Sequence, residues 1–224
     1  MIYANMATIP ERIEMVKIVV KSIIDQVDHL YLFANNCYHE LAHDGDMLYD
    51  NLYTWSSDNE KMDCEKFVAV DLQKGYIFTI DDDLIYPPDY VQTMIDHIER
   101  YKRKAIITLH GRTFGRFPIK SYYRDETRKG YHWDRPLAED VQVHSGGTGV
   151  MAWHSDTITI DYDRITFGNC ADVWMAVFAR EANVPIMCVA HETGWLQYLD
   201  PKETIYKKHY NDDKKITELY NDGR

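Results

Sequence analysis

The chain has few cysteines, no long hydrophobic run and no excess of positive charge. Its four cysteines stand far apart and form no CxxC pair, so we expect reduced, mostly buried thiols. No run approaches the roughly 18 apolar residues of a transmembrane helix. The net charge of −11 argues against general nucleic-acid binding, because that function needs a basic surface.

Two further signals are missing. No basic segment followed by a long apolar one stands at the beginning, so we expect no signal peptide and a cytoplasmic protein. No GxGxxG pattern occurs, which disfavours a dinucleotide cofactor. What is present is a chain of 224 residues with 45% hydrophobic and 13% aromatic residues. That composition suits one globular domain over 1–224 with a substantial core.

Apolar patterns predict strands and helices in alternation over the first 110 residues. We expect strands at 2–4, 29–34, 76–80 and 105–109, with amphipathic helices over 13–27 and after Pro88. This order is typical of β-α-β units and of a mainly parallel sheet flanked by helices. For 37–64 we predict a loop with short helical pieces.

The second half of the chain has weaker patterns. The sequence of 111–140 predicts a long functional loop or an irregular hairpin, rich in the aromatic side chains that stack on sugar faces. After it we expect strands at 141–143 and 148–153, a helix over 171–182, a strand at 185–189 and a polar tail over 201–224.

Three consecutive aspartates, Asp81, Asp82 and Asp83, directly follow the predicted strand at 76–80. Like charges repel and carboxylates are costly to desolvate, so a buried strand that ends in three of them needs a compensating cation. Mg²⁺ or Mn²⁺ suits carboxylate oxygens and also holds substrate phosphates in many enzymes. The alternative interpretation is an acidic turn that caps the next helix, and local sequence leaves both open.

Asn35 and His110 also come just after predicted strands. Because ligands of parallel sheets bind at the carboxyl ends of strands, we expect these side chains to share one crevice with the aspartates. The loop 7–12 leads into a helix, where backbone N–H groups bind an anion or a nucleobase edge. A capped helix start, with Thr8 as the cap, explains that loop equally well.

Four other positions each have two interpretations. Lys66 either contacts a base or phosphate or is a solvated lysine. The glycine-dense segment 144–149 either lets a ligand approach the backbone closely or forms a tight hairpin. Asp172 is either a helix cap or a general base. His191 is either structural or, beside a carboxylate-bound metal, a ligand.

Taken together, these segments resemble the nucleotide-sugar glycosyltransferases of the GT-A fold. The similarity is greatest to the small enzymes of bacterial surface-polysaccharide synthesis and of some large DNA viruses. It extends to about residue 199, and the order and spacing of its motifs make it specific. The matching segments are 7–12, 21–28, 66–67, 75–90, 110–111, 147–149, 172–174 and 194–196.

The resemblance implies an α/β protein of the GT-A fold, with a central, mostly parallel sheet flanked by helices. A nucleotide-binding part would span about 1–110, and an acceptor and catalytic part about 111–200. The implied activity is hexosyl transfer from a nucleotide sugar, a UDP-sugar, to a saccharide or glycan acceptor. The implied cofactor is Mn²⁺ or Mg²⁺.

The resemblance also implies roles for single residues. Asp81 and Asp83 would form the DxD motif. Asp83 would bind the metal, Asp81 would contact the ribose or the metal, and His191 would complete the metal shell. The wall around the nucleotide would comprise Ala7, Thr8, Pro10, Arg12, Asn35, Lys66, Asp81 and Asp82. The donor sugar and acceptor would be flanked by His110, Gly147, Thr148 and Gly149.

Asp172 would act as the general base, and direct displacement would then invert the anomeric carbon. Ala171 stands where inverting relatives carry a glutamate, so inversion and retention both stay open.

Three other functions fit parts of the pattern. A phosphatase of the haloacid dehalogenase type also uses DxD after a strand. However, Leu84 stands where that family needs a small residue, and the aspartates follow the third predicted strand rather than the first. A nucleotidyltransferase needs a glycine-rich basic loop after the first strand, and 6–12 has no glycine. A non-catalytic sugar- or metal-binding module would bind its ligand without turnover.

Overall fold

A computed structural model describes residues 1–200, 207 and 210–222. The strands are β1 (Ile2–Thr8), β2 (His29–Asn35), β3 (Leu52–Ser57), β4 (Tyr76–Ile80), β5 (Leu84–Ile85), β6 (Ile106–Thr108), β7 (Gly111–Thr113), β8 (Lys129–Tyr131), β9 (Val141–Val143), β10 (Ser145–Gly146), β11 (Val150–His154), β12 (Ile186–Cys188) and β13 (Gln197–Tyr198). The α-helices are α1 (Ile13–Ile23), α2 (Tyr38–Ala42), α3 (Tyr90–Arg100), α4 (Ala171–Glu181) and α5 (Lys214–Asp222). Within these described ranges no helix is long and apolar enough to span a membrane.

Eight strands form one central sheet in the order β3-β2-β1-β4-β11-β6-β12-β9. Six of them run in one direction, while β9 and β11 run in the opposite direction. The expected mostly parallel α/β sheet flanked by helices is therefore confirmed, and it is compatible with the GT-A fold. We call β1–β4 the N-terminal half-sheet and β6, β9, β11 and β12 the C-terminal half-sheet.

The N-terminal half-sheet is built from short connections between neighbouring elements. Helix α1 buries Val16, Val19, Val20 and Ile23, whose spacing of three and four residues places them on one face. That face belongs to the core cluster that contains the β1 residue Met6 and further β2 and β4 side chains. Burying each of these large apolar side chains contributes about 1.5–3 kcal/mol.

The prediction of a loop over 37–64 is wrong at β3. This strand pairs with β2 at the edge of the sheet and turns Tyr53 and Trp55 outward, where both are exposed. An edge strand with little of its outer face covered has a weak apolar pattern, which explains the error. Thr8 is also not a helix cap, because it is the last residue of β1 and its side chain is used elsewhere.

The segment 111–140 is anchored to α5 rather than free. Asp213 accepts hydrogen bonds from the Ser121 hydroxyl at 2.6 Å and from the Tyr123 N–H at 2.8 Å. The Thr217 hydroxyl of α5 accepts from the Tyr122 N–H at 2.9 Å. The described part of the predicted polar tail therefore contains α5, and Asp213 just before this helix and Thr217 within it fix the segment. Residues 201–206, 208–209 and 223–224 of that tail lie outside the described residues.

Candidate functional site

The three aspartates lie between β4 and β5, at the carboxyl end of the N-terminal half-sheet. Asp82 is buried and accepts from the Thr8 hydroxyl at 2.7 Å and from Arg12 Nη1 at 2.5 Å. These two donors offset the cost of desolvating a carboxylate. Asp82 thus ties the end of β1 and the following turn to β4, and its side chain is occupied by the protein itself.

Asp83 lies beside Asp82 and is less well compensated. Its carboxylate is 3.3 Å from Arg12 Nη1. Burial, together with the neighbouring charges of Asp81 and Asp82, raises the pKa of Asp83 to about 7, despite the opposing effect of Arg12. The local structure therefore favours an additional positive charge near this carboxylate.

Asp81 pairs with Lys66, whose Nζ lies 2.5 Å from Asp81 Oδ1. Lys66 is buried on the 3-10 turn Met62–Phe67, whereas the Asp81 side chain is 43% exposed. Burial alone would lower the pKa of Lys66, but the carboxylates of Asp81 and Asp63 reverse this and raise it. The alternative of a solvated lysine is therefore wrong, and Lys66 is a fixed cation of the site.

The Tyr86 hydroxyl connects the aspartates to the C-terminal half-sheet. It accepts from the Asp81 N–H at 2.9 Å and donates to the Gly149 carbonyl oxygen at 2.6 Å. A Cβ atom on Gly149 would collide with the Asp81 carboxylate. Only glycine therefore fits this contact without moving Asp81, and the structure brings these two predicted site residues together.

Thr148 and Asp172 are joined directly. Asp172 Oδ1 accepts from the Thr148 N–H at 2.8 Å and from its hydroxyl at 2.9 Å. Asp172 Oδ2 lies 3.9 Å from Arg112 Nη2, and the Asp172 side chain is 30% exposed. The Arg112 guanidinium stacks 4.4 Å from the centre of the Tyr122 ring. Asp172 is thus oriented by three groups and remains accessible to a ligand.

Asp63, which the sequence interpretation missed, caps α4. Its carboxylate accepts from the N–H groups of Cys170 at 3.2 Å and Ala171 at 3.1 Å. Asp172, in the first turn of α4, makes no such cap. The partners of Asp63 are more than 100 residues away in the chain, so no local sequence signal identifies this role.

His191 is held by backbone oxygens. Its Nδ1 lies 2.7 Å from the Val189 carbonyl oxygen and its Nε2 lies 3.1 Å from that of His132. Binding a metal through Nε2 requires that second contact to break. His110 packs edge-on against the His132 ring, with 4.6 Å between ring centres. Burial, followed by the charge of Arg112, lowers the pKa of His110, which is therefore neutral at pH 7.

The remaining predicted residues line the same edge of the sheet. The His110 carbonyl oxygen accepts from the Gly147 N–H at 2.6 Å. Asn35 is buried, and its Nδ2 donates to the Met62 carbonyl oxygen at 3.2 Å. Among the described residues its Oδ1 has no hydrogen-bond partner. Ala7 lies in β1 and Pro10 begins the exposed 3-10 turn that ends at Arg12.

The donor set fits a hard divalent ion at Asp81 and Asp83. Carboxylates outnumber cations here, with Asp63, Asp81, Asp82, Asp83 and Asp172 around Arg12, Lys66 and Arg112. In the described ranges, no group of three or more His, Cys, Asp or Glu side chains is placed to hold an ion by itself. Mg²⁺ and similar ions usually take one or two carboxylates and complete their shell with substrate phosphates and water. Two aspartates and a diphosphate satisfy that pattern.

Comparisons with known proteins support the fold alone. No protein-family model matches the chain, and no curated protein matches it. Among solved structures the chain is similar to "A nucleotidyl transferase from Methanothermobacter thermautotroptrophicus (Mth528)". The TM-score is 0.52 at 12% sequence identity, over 87% of this chain and 88% of that one. The chain therefore shares the α/β architecture of that nucleotidyl transferase over most of both lengths.

Proposed function

We propose that this chain is a metal-dependent glycosyltransferase that moves a sugar from a UDP-sugar to a saccharide acceptor. The observation that carries the proposal is the charge arrangement of the aspartates. Asp81 and Asp83 lie at the carboxyl end of a central strand, beside Lys66 and Arg12. The negative charge of Asp83 is buried and only partly balanced by Arg12, which is why its pKa is raised. A divalent ion would supply the missing positive charge and would at the same time bind the diphosphate of the donor.

The residues on the donor side have separate tasks in this proposal. Asp81 and Asp83 hold Mn²⁺ or Mg²⁺, which neutralises the charge that develops on the leaving UDP. Lys66 fixes Asp81, and Arg12 fixes Asp82 and Asp83.

In this proposal Asn35 belongs to the wall around the nucleotide base; its Oδ1 is buried and has no hydrogen-bond partner among the described residues. The predicted metal role of His191 stays a prediction, because its Nε2 faces a carbonyl oxygen.

Asp172 is proposed as the general base that takes the proton of the acceptor hydroxyl. Thr148 holds one of its oxygens and Arg112 lies near the other, so the carboxylate is oriented while its side chain stays accessible. Direct attack of the acceptor on the sugar then inverts the anomeric carbon. Gly147 and Gly149 pack directly against His110 and Asp81, so in this proposal their backbone flanks the donor sugar beside Asp81.

The test of the function is UDP release from a panel of UDP-sugars with Mn²⁺, with and without saccharide acceptors. We expect release that stops when the metal is chelated and falls at least a hundredfold in Asp83→Ala. That loss corresponds to about 2.7 kcal/mol of barrier, within the range for one electrostatic group. Asp71→Ala, at an exposed position outside the site, should release UDP as the unchanged chain does. Release that survives in Asp83→Ala contradicts the proposal.

A nucleotidyltransferase is the second candidate, favoured by the similar fold of the solved nucleotidyl transferase. It would use the same metal site but release pyrophosphate from UTP and a sugar 1-phosphate. The end of β1 and the turn that follows it, Met6 to Arg12, contain no glycine, which argues against it. Measuring pyrophosphate release from UTP beside UDP release from UDP-sugars separates the two activities directly.

A further inference from the structure

A second concavity lies against the 3-10 turn Met62–Phe67, the turn that holds Lys66 beside Asp81. Its volume is about 370 Å³, and Glu65 of that turn lines it. Neither Lys66 nor any of the three aspartates lines this concavity. Its volume falls in the range of small-molecule sites, about 300–1,000 Å³. The concavity is thus a neighbour of the aspartate site but has a different lining.

Three aromatic side chains, Phe33, Trp55 and Tyr162, line the cavity. Phe33 is buried, and Trp55, on the edge strand β3, is 53% exposed. Tyr162 lines the cavity as well, and its hydroxyl donates to Glu65 Oε2 at 2.7 Å. A half-exposed indole at the mouth of a concavity offers a flat apolar surface for a ligand ring.

The charged groups of the lining are mostly acidic. Asp58, Glu60 and Glu65 line the cavity together with Lys61. Lys61 is already engaged, because its Nζ lies 3.7 Å from the centre of the Tyr162 ring and donates to the Tyr162 carbonyl oxygen at 3.1 Å. Glu65 is also engaged, because its two oxygens accept from the Lys61 N–H and the Tyr162 hydroxyl. The exposed Asp58 and Glu60 therefore present the carboxylate acceptors of the lining and repel phosphates and other anions.

Flat rings flanked by carboxylate and hydroxyl oxygens match one ligand chemistry. An uncharged saccharide has C–H faces that pack on aromatic rings and many hydroxyl donors for carboxylate acceptors. Ser56 and Ser57 add hydroxyl partners to the same lining. We propose that this cavity is a saccharide-binding site, separate from the site at the aspartates. Saccharide binding here needs no metal and no turnover, so it stands independently of the proposed transferase activity.

The test is saturation-transfer NMR and titration on the full chain, without metal or nucleotide. The probes are cellobiose, maltose, lactose and N,N′-diacetylchitobiose, with glucuronic acid as the anionic comparison. We expect at least one neutral probe to bind with millimolar affinity and glucuronic acid to bind more weakly. Trp55→Ala should weaken the neutral probe about tenfold, which corresponds to about 1.4 kcal/mol, because it removes an aromatic ring on which the saccharide packs.

Two variants make the test specific. Tyr53→Ala removes an exposed ring from the same strand but outside the cavity lining, and it should leave the affinity within about twofold. Glu60→Lys changes an exposed rim position and should weaken the neutral probe while favouring glucuronic acid. Binding by none of the four neutral probes overturns the proposal. Equal affinity of the unchanged chain and Trp55→Ala overturns it as well.

Discussion

The two halves of the central sheet contribute to the candidate site in different ways. In the N-terminal half-sheet and its connecting turns, side chains meet as ion pairs, Arg12 with Asp82 and Lys66 with Asp81. In the C-terminal half-sheet the predicted residues mainly engage backbone groups. His191 faces two carbonyl oxygens, and one of the partners of Asp172 is the Thr148 N–H.

In the proposed function, this difference is the reason for assigning the charged ligand to the N-terminal half. The N-terminal half keeps an excess of carboxylate charge, and the raised pKa of Asp83 is its measurable consequence. The C-terminal half satisfies its polar groups internally and contributes shape and orientation. Tyr86 and Gly149 form the contact between the two. Four substitutions test this division, and they are given in order of decreasing expected effect.

The largest effect is expected for Lys66→Met. This change leaves Asp81 and the buried Asp63 without their common cation. Removing one partner of a buried ion pair lowers the free energy of unfolding by about 3–5 kcal/mol. Because Asp81 is half-exposed, we expect a loss at the lower end, about 3 kcal/mol. Urea denaturation at pH 7 measures it. Lys21→Met, on the exposed surface of α1, should change the free energy of unfolding by less than about 0.5 kcal/mol. Similar values for both variants would contradict the role of Lys66.

Asp83→Asn tests the charge excess through pH. The pKa of Asp83 in the folded state, about 7, lies above its ordinary value of 3.8. Its contribution to stability is therefore fully present below pH 3.8 and is lost as pH rises through 7. The Asn variant avoids that loss, so its free energy of unfolding relative to the unchanged chain should rise between pH 4 and pH 8 without metal. We expect a rise of at least about 2 kcal/mol, and the full shift of about 3 pKa units corresponds to about 4 kcal/mol. If the difference in free energy of unfolding between the two proteins does not vary with pH, the negative charge of Asp83 is already balanced by its neighbours.

Much of the N-terminal half can be predicted from sequence because its contacts are local or follow from strand order. The apolar spacing on α1 and the position of the aspartates after β4 place Asp83 at the carboxyl edge of the sheet. Local sequence leaves the role of Lys66 open, because its burial beside Asp81 depends on the fold. The rest depends on partners distant in the chain. Asp63 caps α4 across more than 100 residues, and Asp213 fixes the segment 111–140. The edge strand β3 has too little covered surface to produce an apolar pattern.

Tyr86→Phe tests the contact between the halves. The change leaves the Asp81 N–H and the Gly149 carbonyl without their partner, so we expect a loss of about 1.5 kcal/mol. Tyr90→Phe is a matched control, since the Tyr90 hydroxyl is buried and has no hydrogen-bond partner among the described residues. Its removal should be neutral or slightly stabilising. Thermal unfolding of both variants measures the difference, and equal losses would contradict the bridging role.

The smallest effect is expected for His191→Ala on metal affinity. If its ring stays on the carbonyl oxygens of Val189 and His132, Mn²⁺ affinity in the presence of UDP should change less than about twofold. Calorimetric titration of Mn²⁺ measures it. A tenfold loss, about 1.4 kcal/mol, would instead make His191 a metal ligand and remove the distinction between the halves.

The most direct measurement is the calorimetric titration of UDP into the chain, with Mn²⁺ and with a chelator, for the unchanged protein and for Asp83→Asn. We predict that UDP binds with Mn²⁺, weakens at least tenfold under chelation, and weakens similarly with Mn²⁺ when Asp83 is Asn. UDP affinity that is the same in all these conditions would contradict a metal–diphosphate site at Asp81 and Asp83.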